Sequence, residues 1–591
     1  MVISSLWVGT LSSNQTKMQQ KIHKLILETL KELNIEVSEF SIEHPKELSH
    51  GDYATNIAII SAKKEGKNPL DLANKMIPIL ESKKSEEISK IEIAGPGFIN
   101  FSLTPNFFEN SIKDIINQDE SFGSNNSLRD QKVMIEFTDA NPFKEFHIGH
   151  LMSNTIGESI SRLAESNGIE VVRAIYQGDV GLHIAQAVWG MKQNAVSIPE
   201  DSVDLNKKVE FLGKSYAFGA KEYENSPDAK LEIQEINKKL FEKSSKSLND
   251  IYQKGRAWSL EAFEEIYKKL GTKFDYYFFE SEIFEKGVEI VKEFLEKGVF
   301  VESDGAIVYK GEDEGLHTRV FINSQGLPTY EAKDLGLAFT KEEKVEDIDK
   351  SIVITANEQT EYFKVIKSAL SKINPEIANK TSHIEHGMMK LPSGKMSSRT
   401  GDIITGRSMI EDTEKDVFEK ISASERDFDE ETKKDVAEKV SIGAIKYSIL
   451  KQAPGKDIIF DKEKSLSFEG DSGPYLQYTA TRALSVLNKA HDNKERNFNV
   501  KRPDDLEVTN LEKVLYRMPE VIKKAYAELA PQQVVNYVTE VASLYNSFYG
   551  NEQIIDESDP ADNYKLALSE SARIVLVNGL RVLGIKVPEK M

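Results

Sequence analysis

Hydrophobic positions along the chain fall into successive regimes of spacing. In residues 17–36, Ile22, Leu25, Ile26, Leu30 and Leu33 recur at helical intervals, which predicts an amphipathic helix. A second helix runs through Leu70 to Leu80, and the alternating runs Ile91-Glu-Ile93 and Phe98-Ile-Asn-Phe101 flank a turn at Gly95-Pro-Gly97. Together they predict a small α+β domain over residues 17–116. Residues 117–130, rich in Asn, Ser, Asp and Gly, read as a linker.

The pattern then changes. Residues 133–137 form an apolar, partly β-branched run, long enough for a buried strand and too short for a helix. Met152, Ile156, Ile160 and Leu163 follow at helical spacing, Asn167-Gly168 supplies a left-handed stop, and residues 169–176 read as a second strand. Strand, helix and strand make a right-handed parallel crossover, with its ligand crevice at the strands' carboxyl ends. From about 185 to 300 the pattern is charged and helical, which predicts an insertion over that crevice. Residues 306–309, 319–322 and 351–355 return to strand character and predict further strands of the parallel sheet. A Rossmann-type α/β domain over 131–405 results. A helical connecting region is expected over 406–465 and an all-helical unit over 466–591, from periodic segments near 435–450, 475–490, 509–529, 531–549 and 564–584. Val534, Val538, Val541, Tyr545 and Phe548 trace one apolar face in that unit.

With 591 residues, several cores are expected. The net charge of -20 argues against a non-specific nucleic-acid binder, though 76 basic residues suffice for phosphate contacts on one face. The absence of cysteine excludes disulfides, thiolate nucleophiles and Cys-based zinc sites, and fits a reducing cytoplasm. No apolar stretch reaches the length of a membrane span, so no membrane partner is expected. Residues 1–16 lack the basic start of a signal peptide; they are expected to lie outside the fold, with Met18 as an alternative start.

Candidate chemistry lies in two stretches. The first is the loop joining the first strand to its helix, ending His147-Ile-Gly-His150. Two imidazoles at a helix start can face one ligand, the helix N-terminus favours phosphate, and Gly149 lets a flat base approach the backbone. Alone, these residues also fit a helix start with incidental histidines; a zinc site lacks a third ligand. The second is Leu391-Pro-Ser-Gly-Lys-Met-Ser-Ser-Arg-Thr-Gly401, a glycine-bracketed basic loop able to fold over a triphosphate.

Together the two stretches resemble the signature motifs of class I aminoacyl-tRNA synthetases, and nearly the full chain resembles the arginyl-tRNA synthetases among them. Asn141-Pro-Phe-Lys144 and Gly178-Asp-Val-Gly181 are similar to that family's approach to its histidines and its following glycine loop. His50-Gly-Asp-Tyr-Ala-Thr-Asn56 and Ala94-Gly-Pro-Gly-Phe-Ile-Asn100 resemble its additional N-terminal domain, which contacts the tRNA elbow. Ser472-Gly-Pro-Tyr-Leu-Gln-Tyr478, Thr481-Arg-Ala-Leu484 and the closing residues 584–591 resemble its helical anticodon-binding domain. The second signature departs from the general pattern, with Ser398 and then Arg399 where a lysine is usual. Many arginyl enzymes lack that lysine, and the resemblance assigns its work to an upstream lysine, here Lys144.

The resemblance implies arginine activation by ATP, with Mg²⁺ entering on ATP, followed by transfer to the 3′ end of the arginine tRNA, in a monomer. It also implies that tRNA binds before activation. It assigns phosphate contacts to Lys144, His147, His150, Lys395 and Arg399, and ATP binding also to Gly149, Met396 and Ser397. Asn141 and Gln359 take the amino and carboxylate end of arginine. Tyr330 and Asp334, one helical turn apart, and Glu280 take the guanidinium, whose burial requires planar acceptors. Glu331 is expected to point into solvent. Two other readings remain open: a nucleotidyl transferase of the same fold acting on a small metabolite, and a catalytically silent RNA-binding protein.

Overall fold

Apolar strands covered on both faces fix the centre of the larger unit. In the computed structural model, which describes residues 16–36, 39–194, 198–392, 394, 404–424, 428–491, 500–556 and 558–591, Val133, Met134, Ile135 and Ile354 are fully buried. They belong to a five-stranded sheet ordered Thr381–His386, Lys350–Ala356, Lys132–Glu136, Glu170–Gln177, Tyr276–Phe279, in which every pairing is parallel. Burial on both faces explains why these strands read as continuous apolar runs. The strand order reverses beside Lys132–Glu136, where the sheet continues to Glu170–Gln177 on one side and Lys350–Ala356 on the other. A crevice opens at the carboxyl ends of strands flanking such a switch point.

Two predicted strands lie elsewhere. Ala306–Tyr309 and Arg319–Ile322 pair antiparallel with each other, and Ala306–Tyr309 also pairs antiparallel with Val301–Ser303, in a separate three-stranded sheet. For Ala306–Tyr309 the cause is local: Asp304 and Gly305 hold φ of 49° and 78°, the left-handed pair of a tight hairpin, so the chain reverses and pairs antiparallel with Val301–Ser303. Conversely, the stretch read as a helical insertion contains a strand of the parallel sheet, Tyr276–Phe279. Four residues are too few to break a charged helical pattern on either side.

The insertion itself consists of helices Leu205–Asn225, Pro227–Phe241 and Lys246–Leu270. It packs with Leu182–Gln193 around Trp189, Leu212, Ile233, Tyr252 and Trp258. Two glycines set the closest crossing. A Cβ on Gly190 would lie 2.1 Å from the Ser215 carbonyl oxygen, and one on Gly219 2.0 Å from that of Gln186. Backbone meets backbone there, so no side chain can yield.

The chain divides into two units: residues up to Ser127 with Phe468–Val582 and Lys586–Met591, and Leu128–Ser467 with Leu583–Ile585. The N-terminal and C-terminal stretches, read from sequence as separate domains, therefore share one unit. A four-stranded antiparallel sheet and helices Lys17–Glu32, Ile57–Glu65, Pro69–Lys83 and Pro105–Gln118 form its α+β part. The Glu520 carboxylate accepts from Tyr53 Oη at 2.6 Å and Thr16 Oγ1 at 2.7 Å, and meets His44 Nε2 at 2.9 Å, fastening that part to the helices. The predicted linker is packed as well, since Asn578 Nδ2 donates to the carbonyls of Asp119 and Phe122.

Val534, Val538, Val541, Tyr545 and Phe548 are all buried on Gln532–Asn551, as their spacing predicts. The predicted helix 509–529 instead splits into Asn510–Leu515 and Met518–Ala527. Pro519 sits in the first turn of the second piece, where its missing N–H costs least. Residues 1–15, including most of the predicted unstructured start, lie outside the described residues. No helix among the described residues is long and apolar enough to cross a membrane.

The glycine crossing is testable: Gly190→Ala forces two helices apart and should cost about 1–3 kcal/mol. The readout is the midpoint shift in thermal or urea unfolding; an unchanged midpoint would contradict the close approach.

Candidate active site

The loop between Lys132–Glu136 and the helix Ile148–Ser166 runs through backbone conformations that L-residues rarely adopt. Thr138, Asp139 and Phe143 have φ of 83°, 49° and 66°. Such strain persists only where surrounding bonds over-determine it, and here each residue is tied. The Thr138 N–H donates to Ser153 Oγ at 2.9 Å, Ser153 Oγ donates to the Ile354 carbonyl at 2.9 Å, and Asn154 Nδ2 donates to Thr138 Oγ1. Asp139 Oδ1 accepts from the Tyr176 N–H at 3.1 Å. The Phe143 N–H donates to Ser259 Oγ at 2.9 Å, and a Cβ on Gly255 would lie 2.2 Å from Phe143 Cε1. The loop is thus clamped between the sheet and the helix Lys246–Leu270.

Beside it opens a cavity of about 510 Å³ at the switch point, within the usual range for small-molecule sites. His147, Gly149 and His150 line it from the start of one helix, and Glu280, Tyr330 and Asp334 from two others. Asn141 and Gln359 also line it.

The two histidines act as a unit. Their rings stack with centroids 3.4 Å apart. The His147 N–H donates to His150 Nδ1 at 3.3 Å, which fixes the His150 proton on Nε2 as a donor. Burial, then the neighbouring charges of His147 and Lys144, hold the His150 pKa well below its ordinary value. Burial, then Lys144 and His386, lower that of His147. At neutral pH both rings are therefore neutral N–H donors rather than cations. His386 completes this wall; its Nδ1 donates to the Gly387 carbonyl at 2.8 Å, leaving Nε2 as an acceptor.

On the acidic side, Asn141 Oδ1 accepts the Gly178 N–H at 2.7 Å, so its amide nitrogen is the group left for a ligand. A Cβ on Gly178 would lie 2.6 Å from that oxygen. Asp334 accepts from Tyr362 Oη at 2.6 Å. Burial pushes the Asp334 carboxyl up to about 7; the Tyr362 hydroxyl lowers it, while Glu136 and Glu280 add to the rise. Tyr330, on the same helix Tyr330–Lys344, is 57% exposed at the rim. Glu280 lines the cavity but is not a free carboxylate, because its Oε2 pairs with buried Lys333 Nζ at 2.5 Å. Glu331, expected in solvent, is buried and meets Arg319 Nη1 at 3.2 Å. It occupies the first helical turn, where the small antiparallel sheet brings Arg319 against it.

Not every predicted residue meets at this point. Lys144 lines a smaller neighbouring cavity of about 100 Å³ instead. Its charge still reaches Glu280, His147 and His150. Lys395, Met396, Ser397, Ser398 and Arg399 lie outside the described residues. Tyr362, Lys333, Arg319 and His386 escape a reading of the sequence, as does Asp179. That buried carboxylate holds Tyr252 Oη, Arg256 Nε and both the backbone and hydroxyl of Ser281. Lys333 lies between Tyr330 and Asp334, and Asp179 within Gly178-Asp-Val-Gly181; the others carry no local signal.

Comparison with known proteins agrees along the whole chain. Residues 111–462 match the family model of tRNA synthetases class I (R), catalytic domain. Residues 476–591 match the DALR anticodon binding domain, and 20–103 the arginyl tRNA synthetase N terminal domain. An arginine–tRNA ligase of Clostridium botulinum is 31% identical, covering 97% of this chain and 100% of its own. One from Treponema denticola is 29% identical over 94% and 95%. Among solved structures, the arginyl-tRNA synthetase of Thermus thermophilus shares the fold with a TM-score of 0.78 at 23% identity, covering 97% of this chain and 100% of that one.

The electrostatics of the acidic wall can be read directly. By carbon-detected NMR of the ligand-free protein, Asp334 should titrate near 7. Tyr362→Phe, which removes the hydroxyl donor, should raise that midpoint further; a midpoint in the ordinary carboxylate range would contradict the burial argument.

Proposed function

The chain belongs to the arginyl-tRNA synthetases of class I, and on that premise we propose that its central cavity activates L-arginine with ATP and loads it on the 3′ end of the arginine tRNA. The arginine carboxylate attacks the α-phosphorus of ATP in line, pyrophosphate leaves, and arginyl-adenylate remains. A ribose hydroxyl of the terminal nucleotide then attacks the arginyl carbonyl and AMP departs. No protein nucleophile is needed; the work is orientation and stabilisation of charge on phosphorus.

The observation that carries the reading is that one cavity is lined by both donors and acceptors. Neutral N–H donors at His147 and His150 stand at a helix start, and the acceptors Asp334 and Tyr330 stand on another helix. ATP lies along Gly149 with its phosphates toward the histidines, and Lys144, Lys395 and Arg399 supply positive charge, with Met396 and Ser397 contacting the nucleotide. The guanidinium goes to Asp334, Tyr330 and the remaining oxygen of Glu280. Asn141 and Gln359 hold the amino and carboxylate end. Among the described residues no trio of His, Asp or Glu is arranged to hold a metal; Mg²⁺ enters on the ATP phosphates, where it would neutralise charge.

The helical unit reads the anticodon region and the N-terminal domain the tRNA elbow, in a monomer working in the cytoplasm. Activation waits for bound tRNA. Residues 17–116 and 466–591 would act as the N-terminal and helical domains within the compact unit they share, and 131–405 as the catalytic domain within the other.

ATP–pyrophosphate exchange with arginine, with and without tRNA, tests the reading; exchange with another amino acid, or none with arginine, would sink it. His150→Ala should lower exchange on the order of a hundredfold with tRNA affinity nearly unchanged. The pH dependence has a definite sign. A guanidinium binds the ionised carboxylate, so the KM for arginine should be flat above the Asp334 midpoint of about 7 and rise toward tenfold per pH unit below it. Asp334→Asn should remove that limb while raising KM throughout.

A further inference from the structure

We propose that Tyr216, on the insertion helix Leu205–Asn225, is a positioning residue that holds the Lys144 ammonium beside the reacting phosphates. The inference rests on the assignment of Lys144 to phosphate contact and gives the helical insertion a part in catalysis.

Lys144 Nζ lies 5.5 Å from the centroid of the Tyr216 ring. Among the described residues Lys144 makes no ion pair, although its charge reaches Glu280, His147, His150 and His183. Burial disfavours its charged form and lowers its pKa, so something must compensate the ammonium without consuming it. A carboxylate partner would compete with ATP for the charge. An aromatic face does not: it attracts the cation electrostatically, leaves its net charge intact, and keeps the N–H groups available.

Both partners are held from behind. On one side, the glycine crossing seats the backbone of Ser215, the residue before Tyr216, against Gly190. On the other, the residue before Lys144 is Phe143, whose N–H is bonded to Ser259 and whose ring is packed on Gly255. The Lys144 N–H turns back to the Asn141 carbonyl at 3.3 Å. The Tyr216 hydroxyl hydrogen-bonds no described residue, so the ring and not the oxygen is the working part.

The test compares full-length Tyr216→Phe, Tyr216→Trp, Tyr216→Leu, Lys144→Met and the Tyr216→Leu/Lys144→Met double variant in tRNA-stimulated exchange. Tyr216→Leu should lower kcat by about five- to tenfold with the KM for arginine unchanged, while Tyr216→Phe and Tyr216→Trp retain near wild-type rates. Because the ring acts only through the lysine, the double variant should be no slower than Lys144→Met alone. Full activity in Tyr216→Leu, equal loss in Tyr216→Phe, or additive losses in the double variant would each overturn the proposal. Wild-type protein without arginine-dependent exchange would instead refute the functional reading. Wild-type exchange with an unimpaired Lys144→Met would remove the lysine, and Tyr216 with it.

Discussion

Everything at the centre of the larger unit depends on one strained loop. Thr138, Asp139 and Phe143 are held in left-handed conformations between a parallel strand and a helix, and the cost of that backbone is met by bonds from distant elements. Ser153 and Asn154 hold it from the helix Ile148–Ser166, Ile354 through Ser153 from the neighbouring strand, and Ser259 and Gly255 from the insertion. A loop determined from three sides can present histidines, an amide and a lysine at fixed positions. A free loop would lose that arrangement to conformational entropy.

The second constraint is charge. The cavity wall gathers Asp139, Glu280, Glu331 and Asp334, with Glu136 close behind, and unpaired burial of so many carboxylates would be prohibitive. The fold answers unevenly. Glu280 is given Lys333, Glu331 is given Arg319, and Glu136 is given Lys341. Asp334 receives only a tyrosine hydroxyl, and its carboxyl stays proton-hungry as a result. Asp139 is likewise given only the Tyr176 N–H, and burial raises its carboxyl well above the ordinary range, so two acids at this wall are left in want of a cation.

How much of this was legible depends on the range of the signal. The histidine pair, Gly149, Asn141, Tyr330 and Asp334 lie in two short motifs, and all line one cavity. Glu280 reaches the same cavity, yet its pairing with Lys333 was hidden because 53 residues separate the partners. Glu331 is buried against Arg319 rather than solvent-facing, because helical spacing from Tyr330 says nothing about a strand packed across the first turn. The hairpin at Asp304-Gly305 was a readable turn signal, whereas Tyr276–Phe279 was too short to stand out from charged helices on both sides.

The sequence by itself determined the local elements and the residue types at the site. Apolar periodicity, left-handed stops and turn chemistry act over a few residues, and motif spacing places side chains on one helix face. Only the tertiary structure decided which strands share a sheet, which acids keep a free oxygen, and what braces the strained loop. Those outcomes turn on contacts between residues far apart in the chain, where burial removes water and a single partner sets whether a carboxylate, an imidazole or an ammonium carries charge.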